Sequence, residues 1–451
     1  MIISQDKNEI LPLNLPSNSE YSFSKGASLV QFIIPQSPQL LLTKTLKLNG
    51  KLRINRSTSS FSAPVFPNNI NNKGGGAYSL RINERVGINA LFDNIVISSS
   101  GSGGQVMESL RNVGRLHALT KPLTHNQGQY DGELNGKDPT LASRSNISAV
   151  DVNTEVFFSI PIETGLTQGN ESLPLGVNGL RGMEIQIQLA NDQNVLITSE
   201  TDKNSVYYSL VDLSLCYDTL TFDASTTAEM ERPATSSLEY NSYAHQYQVV
   251  NASDTQLNLN FGVKNCLSVI ASTVPTTSIN NVEVDSMSTN NLLNQNAGVY
   301  NVAAPLRTVT FGRNGQRVPL DYEIEVETQS TENRPRVELI DELKTAMDVA
   351  GSSMSLVSLN TENQVKTKVN LNGDEVASLD PTINVEPEAK PVFGFGINED
   401  SLTKVGRDFS TATFTLRIQS GLDGNSPNSI NVFTLSKNRL NYSPQGISVS
   451  S

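Results

Sequence analysis

The stretch NIVISSSGSGGQVMESLRNVGRLHAL, residues 94–119, has the order of a phosphate-binding loop: an apolar strand, a glycine-rich turn, then an amphipathic segment. A Walker-type loop needs Lys and then Ser or Thr after its last glycine, to reach the phosphates and magnesium. Here Gly104 is followed by Gln105 and Val106. A dinucleotide loop needs a third glycine at G-x-G-x-x-G spacing. Gly101 and Gly103 fit, but Val106 fills the third place and no βαβ pattern surrounds them. The glycines are therefore expected to serve a permissive turn. After it, a helix is expected over QVMESLRNVGRLHAL, with Val106, Leu110, Val113 and Leu116 on one stripe.

The other groups with chemical potential are few. His117, His125 and His245 are the only histidines, and none forms an i, i+4 zinc pair with an adjacent Glu. There is no G-x-S-x-G elbow and no Cys-His signature. His245, inside the strand-like YAHQYQV, reads as a structural histidine. In DYEIEVE, a strand would put Asp321, Glu323, Glu325 and Glu327 on one face and Tyr322, Ile324 and Val326 on the other. Four such carboxylates suit a cation such as calcium, basic residues of a neighbouring subunit, or plain solvent, the last being the default. Cys216 and Cys266 lie in apolar runs and are expected to be buried free thiols. No catalytic residue, cofactor-binding residue or metal ligand is assigned, and the expectation is a protein that is not an enzyme and carries no cofactor.

Composition narrows the partners. The 451 residues are 37% hydrophobic and 17% charged, with net charge −12, 6% aromatics and no Trp. Nucleic-acid binding needs a dense positive face to neutralise phosphates, and no such run of Lys and Arg exists. Paired carboxylates for glycoside cleavage would need an aromatic sugar cleft, which this composition does not favour. The first residues lack the basic and apolar regions of a signal peptide, and runs such as LVQFII are too short to span a membrane. A soluble protein made inside the cell is expected. On that expectation the sequons at Asn55, Asn146, Asn170 and Asn251 carry no meaning.

The elements around these residues are strands. LKLNGKLRI puts Leu46, Leu48, Leu52 and Ile54 on one face and Lys47, Asn49, Lys51 and Arg53 on the other. MEIQIQL alternates Met183, Ile185, Ile187 and Leu189 with Glu184, Gln186 and Gln188. SLVDLSLCYDTLTF, QLNLNFGV, TFTLRIQ and INVFTLSKNRL read alike, separated by clusters of Pro, Gly, Asn and Ser. The pattern predicts an antiparallel all-β protein, a sandwich or jelly roll. A second helix is expected over RPRVELIDELKTAMDVA, with Val337, Ile340, Leu343 and Met347 at helical spacing and Pro335 near its start. The two helices stand half a chain apart, as in a duplicated unit. DASTTAEMERPATSS, with Pro233, suits a linker between halves spanning 1–225 and 226–451.

Read as two long-looped β domains, the chain resembles the double jelly-roll major capsid proteins of small DNA viruses, closest to those of virophages and polinton-like viruses, in the lineage of adenovirus and tailless-phage capsids. Four places carry the resemblance: YSFSKGASLVQFIIPQSPQLLLTKTLKLNGKLRI; GINALFDNIVISSSGSGGQVMESLRNVGRLHAL; LPLGVNGLRGMEIQIQLA with VYYSLVDLSLCYDTL; and FGRNGQRVPLDYEIEVE. In the second, Glu108, Arg111 and Asn112 nearly match an E-x-x-R-N pattern at the start of a helix.

The resemblance implies two consecutive eight-stranded jelly rolls, each with a short helix in a long loop. It also implies a homotrimer that tiles an icosahedral virion shell as a pseudo-hexamer, built inside the host cell. The implied partners are neighbouring capsomers and penton and minor capsid proteins, with no sequence-specific nucleic acid and no transmembrane segment. Any towers on the shell would be the loops FSAPVFPNNINNKGGGAY and 360–391. The competing readings are a carbohydrate-binding spike or adhesin, which would need an aromatic platform, and a β-sandwich hydrolase, which would need a cleft with paired carboxylates.

Overall fold

A computed structural model describes residues 2–16, 19–56, 80–82, 86–100, 104–124, 156–169, 172–176, 180–198, 206–231, 236–250, 254–276, 279–282, 287, 306–317, 324–325, 337–349, 392–396, 408–411, 413–420, 428–443 and 446–450. The first eight main strands are β1 (Ile2–Ile10), β2 (Leu29–Ile34), β3 (Leu40–Arg56), β4 (Phe92–Ser99), β5 (Val106–Arg111), β6 (Val156–Pro161), β7 (Met183–Leu189) and β8 (Val206–Phe222). They form two antiparallel sheets, ordered β1-β8-β3-β6 and β2-β7-β4-β5.

The next eight repeat the pattern. They are β9 (Ser236–Val250), β10 (Asp254–Leu259), β11 (Cys266–Pro275), β12 (Leu306–Arg313), β13 (Ile324–Glu325), β14 (Val392–Gly396), β15 (Phe414–Ser420) and β16 (Asn428–Ser443). Their sheets run β9-β16-β11-β14 and β10-β15-β12, with β13 pairing on the free edge of β12. Adding eight to each strand of the first roll reproduces the order of the second. β17 (Gly446–Ser450) folds back on the end of β16.

Alternation explains the sandwich. In β7 Met183, Ile185, Ile187 and Leu189 are buried while Glu184, Gln186 and Gln188 are half-exposed. In β3 Leu46, Leu48 and Leu52 are buried, and the side chain of Ile54 is outside the description. These faces join with their counterparts in the second roll into one continuous apolar cluster. The FGRNG motif closes a tight hairpin. Asn314 and Gly315 take φ of 52° and 80°, the two positive values such a turn needs, and Gln316–Arg317 pairs back onto Arg313 and Gly312.

The longer helices among the described residues are α1 (Val113–Thr124), α2 (Ala224–Glu231) and α3 (Val337–Val349). α1 and α3 occupy the same place in strand order, after the fifth strand and before the sixth of each roll. Their seats differ: α1 packs on residues 87–91 and β4, whereas α3 packs on β14 and β11. Leu343, Ala346 and Met347 of α3 are buried; Pro335 and the side chains of Val337 and Ile340 lie outside the described residues.

One expectation is corrected, and the linker carries a helix of its own. Residues 106–111 are a strand, not the first turns of a helix: Leu110 pairs with Ile95 and Glu108 with Ile97 in antiparallel register. Val106, Glu108 and Leu110 fit a period of two as well as Val106, Leu110 and Val113 fit a period of 3.6, and pairing with β4 decides between them. Val106 is exposed because the register shifts between Glu108 and Val106, while Leu110, Val113 and Leu116 are buried. The inter-roll segment is helical over Ala224–Glu231, because Asp223 accepts the Thr226 amide at 2.8 Å and starts the turn before Pro233 can end it. Pro233 itself lies outside the described residues, as do Gly101, Gly103, His125, Asp321, Glu323, Glu327, the sequon asparagines 146, 170 and 251, and both tower loops. Among the described residues no helix is long and apolar enough to cross a membrane.

Candidate functional site: the polar seam between the two rolls

The residues following the glycine-rich turn do their work at the boundary between the rolls. Gly104 has φ 34°, and the Ser99 amide donates to the Gln105 carbonyl at 3.0 Å, so the chain reverses from β4 into β5. β5 then carries Glu108 into the boundary. This buried carboxylate accepts hydrogen bonds from the amides of Gly165 (2.9 Å) and Leu166 (2.8 Å), at the start of the short helix Gly165–Gln168. It also accepts one from the Ser242 hydroxyl of β9 at 2.7 Å. Burial pushes the Glu108 carboxyl above its ordinary range, and the bonds from Ser242, Leu166, Thr164 and Gly165 pull it part of the way back.

One residue earlier, the Met107 carbonyl accepts the Tyr240 hydroxyl of β9. Burial is the main cause that raises the Tyr240 phenol, with the nearby Glu108 adding to it. Gly165 is required by the closeness of this approach: a Cβ there would stand 1.6 Å from the Asn241 carbonyl oxygen.

The opposite face of β9 is held as well. Asn112, the residue between β5 and α1, takes φ 55° and donates from Nδ2 to the Asn431 side-chain oxygen of β16 at 3.2 Å. The same oxygen lies 3.0 Å from His245 Nε2, and the His245 ring packs on Phe433 with centroids 4.6 Å apart. With its proton on Nε2 the ring donates to Asn431, and Asn112 Nδ2 lies 3.4 Å from the same nitrogen. Burial lowers the affinity of His245 for a second proton, Arg115 and Arg111 lower it further, and the Asn431 bond opposes them. Because Ser242 and His245 differ by an odd number of residues on one strand, roll 1 clasps β9 from both sides.

A third cluster stiffens roll 1 behind the seam. His117 Nδ1 lies 3.3 Å from the Glu163 carboxylate, and Lys121 Nζ pairs with the same group. These tie α1 to the segment that enters the Gly165–Gln168 helix. A second contact joins the rolls at Asn280, whose amide donates to Asn194 Oδ1 at 2.8 Å.

The arrangement matches donors to acceptors across a buried boundary. Its chemistry is docking. Of the residues in the sequence pattern, Glu108 and Asn112 bond across the boundary, and Arg111 acts electrostatically on His245. His117 lies beside the Glu163 carboxylate that Lys121 pairs with, and His245 serves the boundary. Sequence reasoning missed Gly165, Ser242 and Asn431. Asn431 had a signal, a polar residue inside the apolar run INVFTL; Gly165 and Ser242 had none, because only the meeting of two distant segments gives them partners. Cys266 is buried as expected, whereas Cys216 is partly exposed and accepts from Asn49 Nδ2 at 2.9 Å. The reason is position: Cys216 faces outward from β8, beside Lys47 of β3.

No family model and no curated protein matches the chain. Solved structures do, over nearly its full length. The Faustovirus major capsid protein matches with TM-score 0.56 at 11% identity, covering 97% of this chain and 90% of that one. The fold is the double jelly roll. The PBCV-1 VP54 crystal structure fitted into a reconstruction of the virophage Sputnik matches with TM-score 0.55 at 10% identity, over 99% of this chain and 97% of that one. The cryo-EM structure of the Sputnik virophage matches with TM-score 0.54 at 12% identity, over 100% and 88%. At such identities the likeness is one of architecture, and it extends across both jelly rolls of the chain.

Proposed function

We propose that this chain is a major capsid protein, a structural subunit rather than an enzyme, acting in the virion shell. The observation that carries the reading is the end-to-end match of both rolls to major capsid proteins, with little chain left over on either side. The division into units 1–225 and 226–451 is supported by the sheets: no strand of β1–β8 pairs with a strand of β9–β17. The seam joins the two rolls directly, through Glu108 to Ser242, Asn112 to Asn431 and Gly165 against Asn241.

In this reading three chains associate as a pseudo-hexagonal homotrimer. Neighbouring capsomers, penton proteins and minor capsid proteins are its partners in the shell, and assembly takes place inside the host cell. The net charge of −12 leaves genome contact to other components. Electron microscopy of the expressed full chain, with sedimentation to fix the mass, tests this. Pseudo-hexagonal particles of three 48.9 kDa chains are expected. A strict monomer at tens of micromolar would count against the reading, since an obligate interface of this class is large.

A further inference from the structure

The two helices that occupy the same place in strand order are held unequally. α1 buries Val113, Leu116, Ala118 and Leu119, and its Lys121 pairs with the Glu163 carboxylate. In α3, the buried side chains among residues 341–348 are Leu343, Ala346 and Met347. None of the described side chains of α3 makes a hydrogen bond or ion pair to the sheet beneath it. The Thr345 hydroxyl turns back to the Asp341 carbonyl of its own helix at 2.9 Å. Apolar burial alone seats this part of the helix.

The sheet under α3 adds a cost to that seating. In the antiparallel register Ser268 pairs with Gly396, Ile270 with Gly394 and Phe433, and Ser272 with Asn431, so Ser268, Ile270, Ser272, Phe433 and Asn431 share one face. His245, opposite Phe433, puts the seam on the same face. α3 lies directly on it: a Cβ at Gly396 would stand 2.5 Å from the Thr345 carbonyl oxygen and 2.8 Å from the Thr345 methyl. Beside Gly396, the Ser268 hydroxyl is fully buried and meets no donor or acceptor. The Ser272 hydroxyl, four residues on along the same face, is buried and unpartnered too. A buried hydroxyl without a partner loses its hydration and recovers nothing for it.

We propose that α3 is a releasable strap, which undocks as a unit while both sandwiches stay folded and so switches this sheet face between covered and open. Release hands the Ser268 hydroxyl to water and bares the face at β14, the edge strand of its sheet. A helix seated by a few apolar side chains over a stranded polar group belongs to the low-stability end of a fold. α1 supplies the comparison within the same chain: its place in strand order is the same, its apolar face is fuller, and an ion pair ties it down. The open face is continuous with the one that carries His245 and Asn431, so the strap works beside the seam without forming part of it.

Native-state hydrogen exchange on the full chain tests this. Amides of residues 343–347 are expected to exchange at least about tenfold faster than those of 115–119 in α1 and of 268–272 in β11. Their exchange should also depend more weakly on denaturant, because a local opening exposes little surface. Equal protection in the three segments, with one common denaturant dependence, would mean that α3 opens only when the roll unfolds, and overturns the strap. This comparison needs no variant to fold. Ser268→Ala removes the stranded hydroxyl and should slow exchange at 343–347 by about fivefold while leaving 115–119 unchanged. Gly396→Ala presses on the Thr345 carbonyl and should speed exchange at 343–347. If Ser268→Ala leaves that exchange unchanged or speeds it, the hydroxyl does not oppose docking and the proposal fails.

Discussion

The carboxylate of Glu108 and the hydroxyl of Ser242, 134 residues apart in the chain, meet at 2.7 Å across the boundary between the two jelly rolls. With the amides of Gly165 and Leu166, Ser242 completes a set of three donors around one buried acceptor group. Glu108→Ala strands all three, and it should destabilise the protein by about 3 kcal/mol, whereas Ser242→Ala should cost about 1 kcal/mol. The double variant should cost less than the sum, because the two residues share one bond. Shifts in the denaturant midpoint of the four proteins check this; strict additivity would argue that the bond contributes nothing.

Asn112 combines a left-handed backbone with a side-chain bond to Asn431, and two substitutions separate these roles. Asn112→Gly keeps the turn and loses the bond, for a cost of about 1 kcal/mol. Asn112→Ala also forces an L side chain into φ near 55°, adding about 1 kcal/mol more. Thermal unfolding should rank wild type above Asn112→Gly and that above Asn112→Ala. The reverse order of the two variants would contradict the backbone account.

His245 makes the seam sensitive to acid. Its folded affinity for a proton lies below the ordinary value of 6.5, through burial first and then through Arg115 and Arg111. The unfolded chain therefore binds the proton first as the pH falls, so the stabilisation is complete above pH 6.5 and is lost as pH falls towards the folded value. Glu108 has the opposite sign: its raised carboxyl favours the folded state at low pH, with that contribution lost as pH rises through the folded value. Comparing wild type with His245→Gln between pH 7 and pH 5 cancels the Glu108 part. Wild type should lose stability more steeply; parallel curves would remove His245 from the boundary.

The two thiols should differ in kind. Cys216 is partly exposed, and its pKa is raised by burial and then by Glu9, while Cys266 is fully buried and raised further. A chromogenic disulfide reagent should label one thiol per native chain, faster as the pH rises, and two in denaturant. Two fast native labels would place Cys266 at the surface.

How much of this was legible in the chain follows from how far each signal reaches. Alternation in MEIQIQL and LKLNGKLRI is set within one strand by which face meets water, so the all-β class, the individual strands and the Asn314–Gly315 turn could be read directly. The helical stripe of α3 is equally local. The glycine-rich stretch could be read as chemically inert, because the lysine and third glycine of a phosphate loop are absent. Whether Val106–Arg111 would be strand or helix could not be read, since both periods fit and pairing with β4 settles the matter. The seam lay further still from sequence. Glu108 looks like any surface carboxylate until Ser242 and the Gly165 turn surround it, and Gly165 looks dispensable until the Asn241 carbonyl stands where its Cβ would be. Residues determined by the water on one side of them were visible in the sequence. Residues determined by a second roll had to await the tertiary structure that brings that roll alongside.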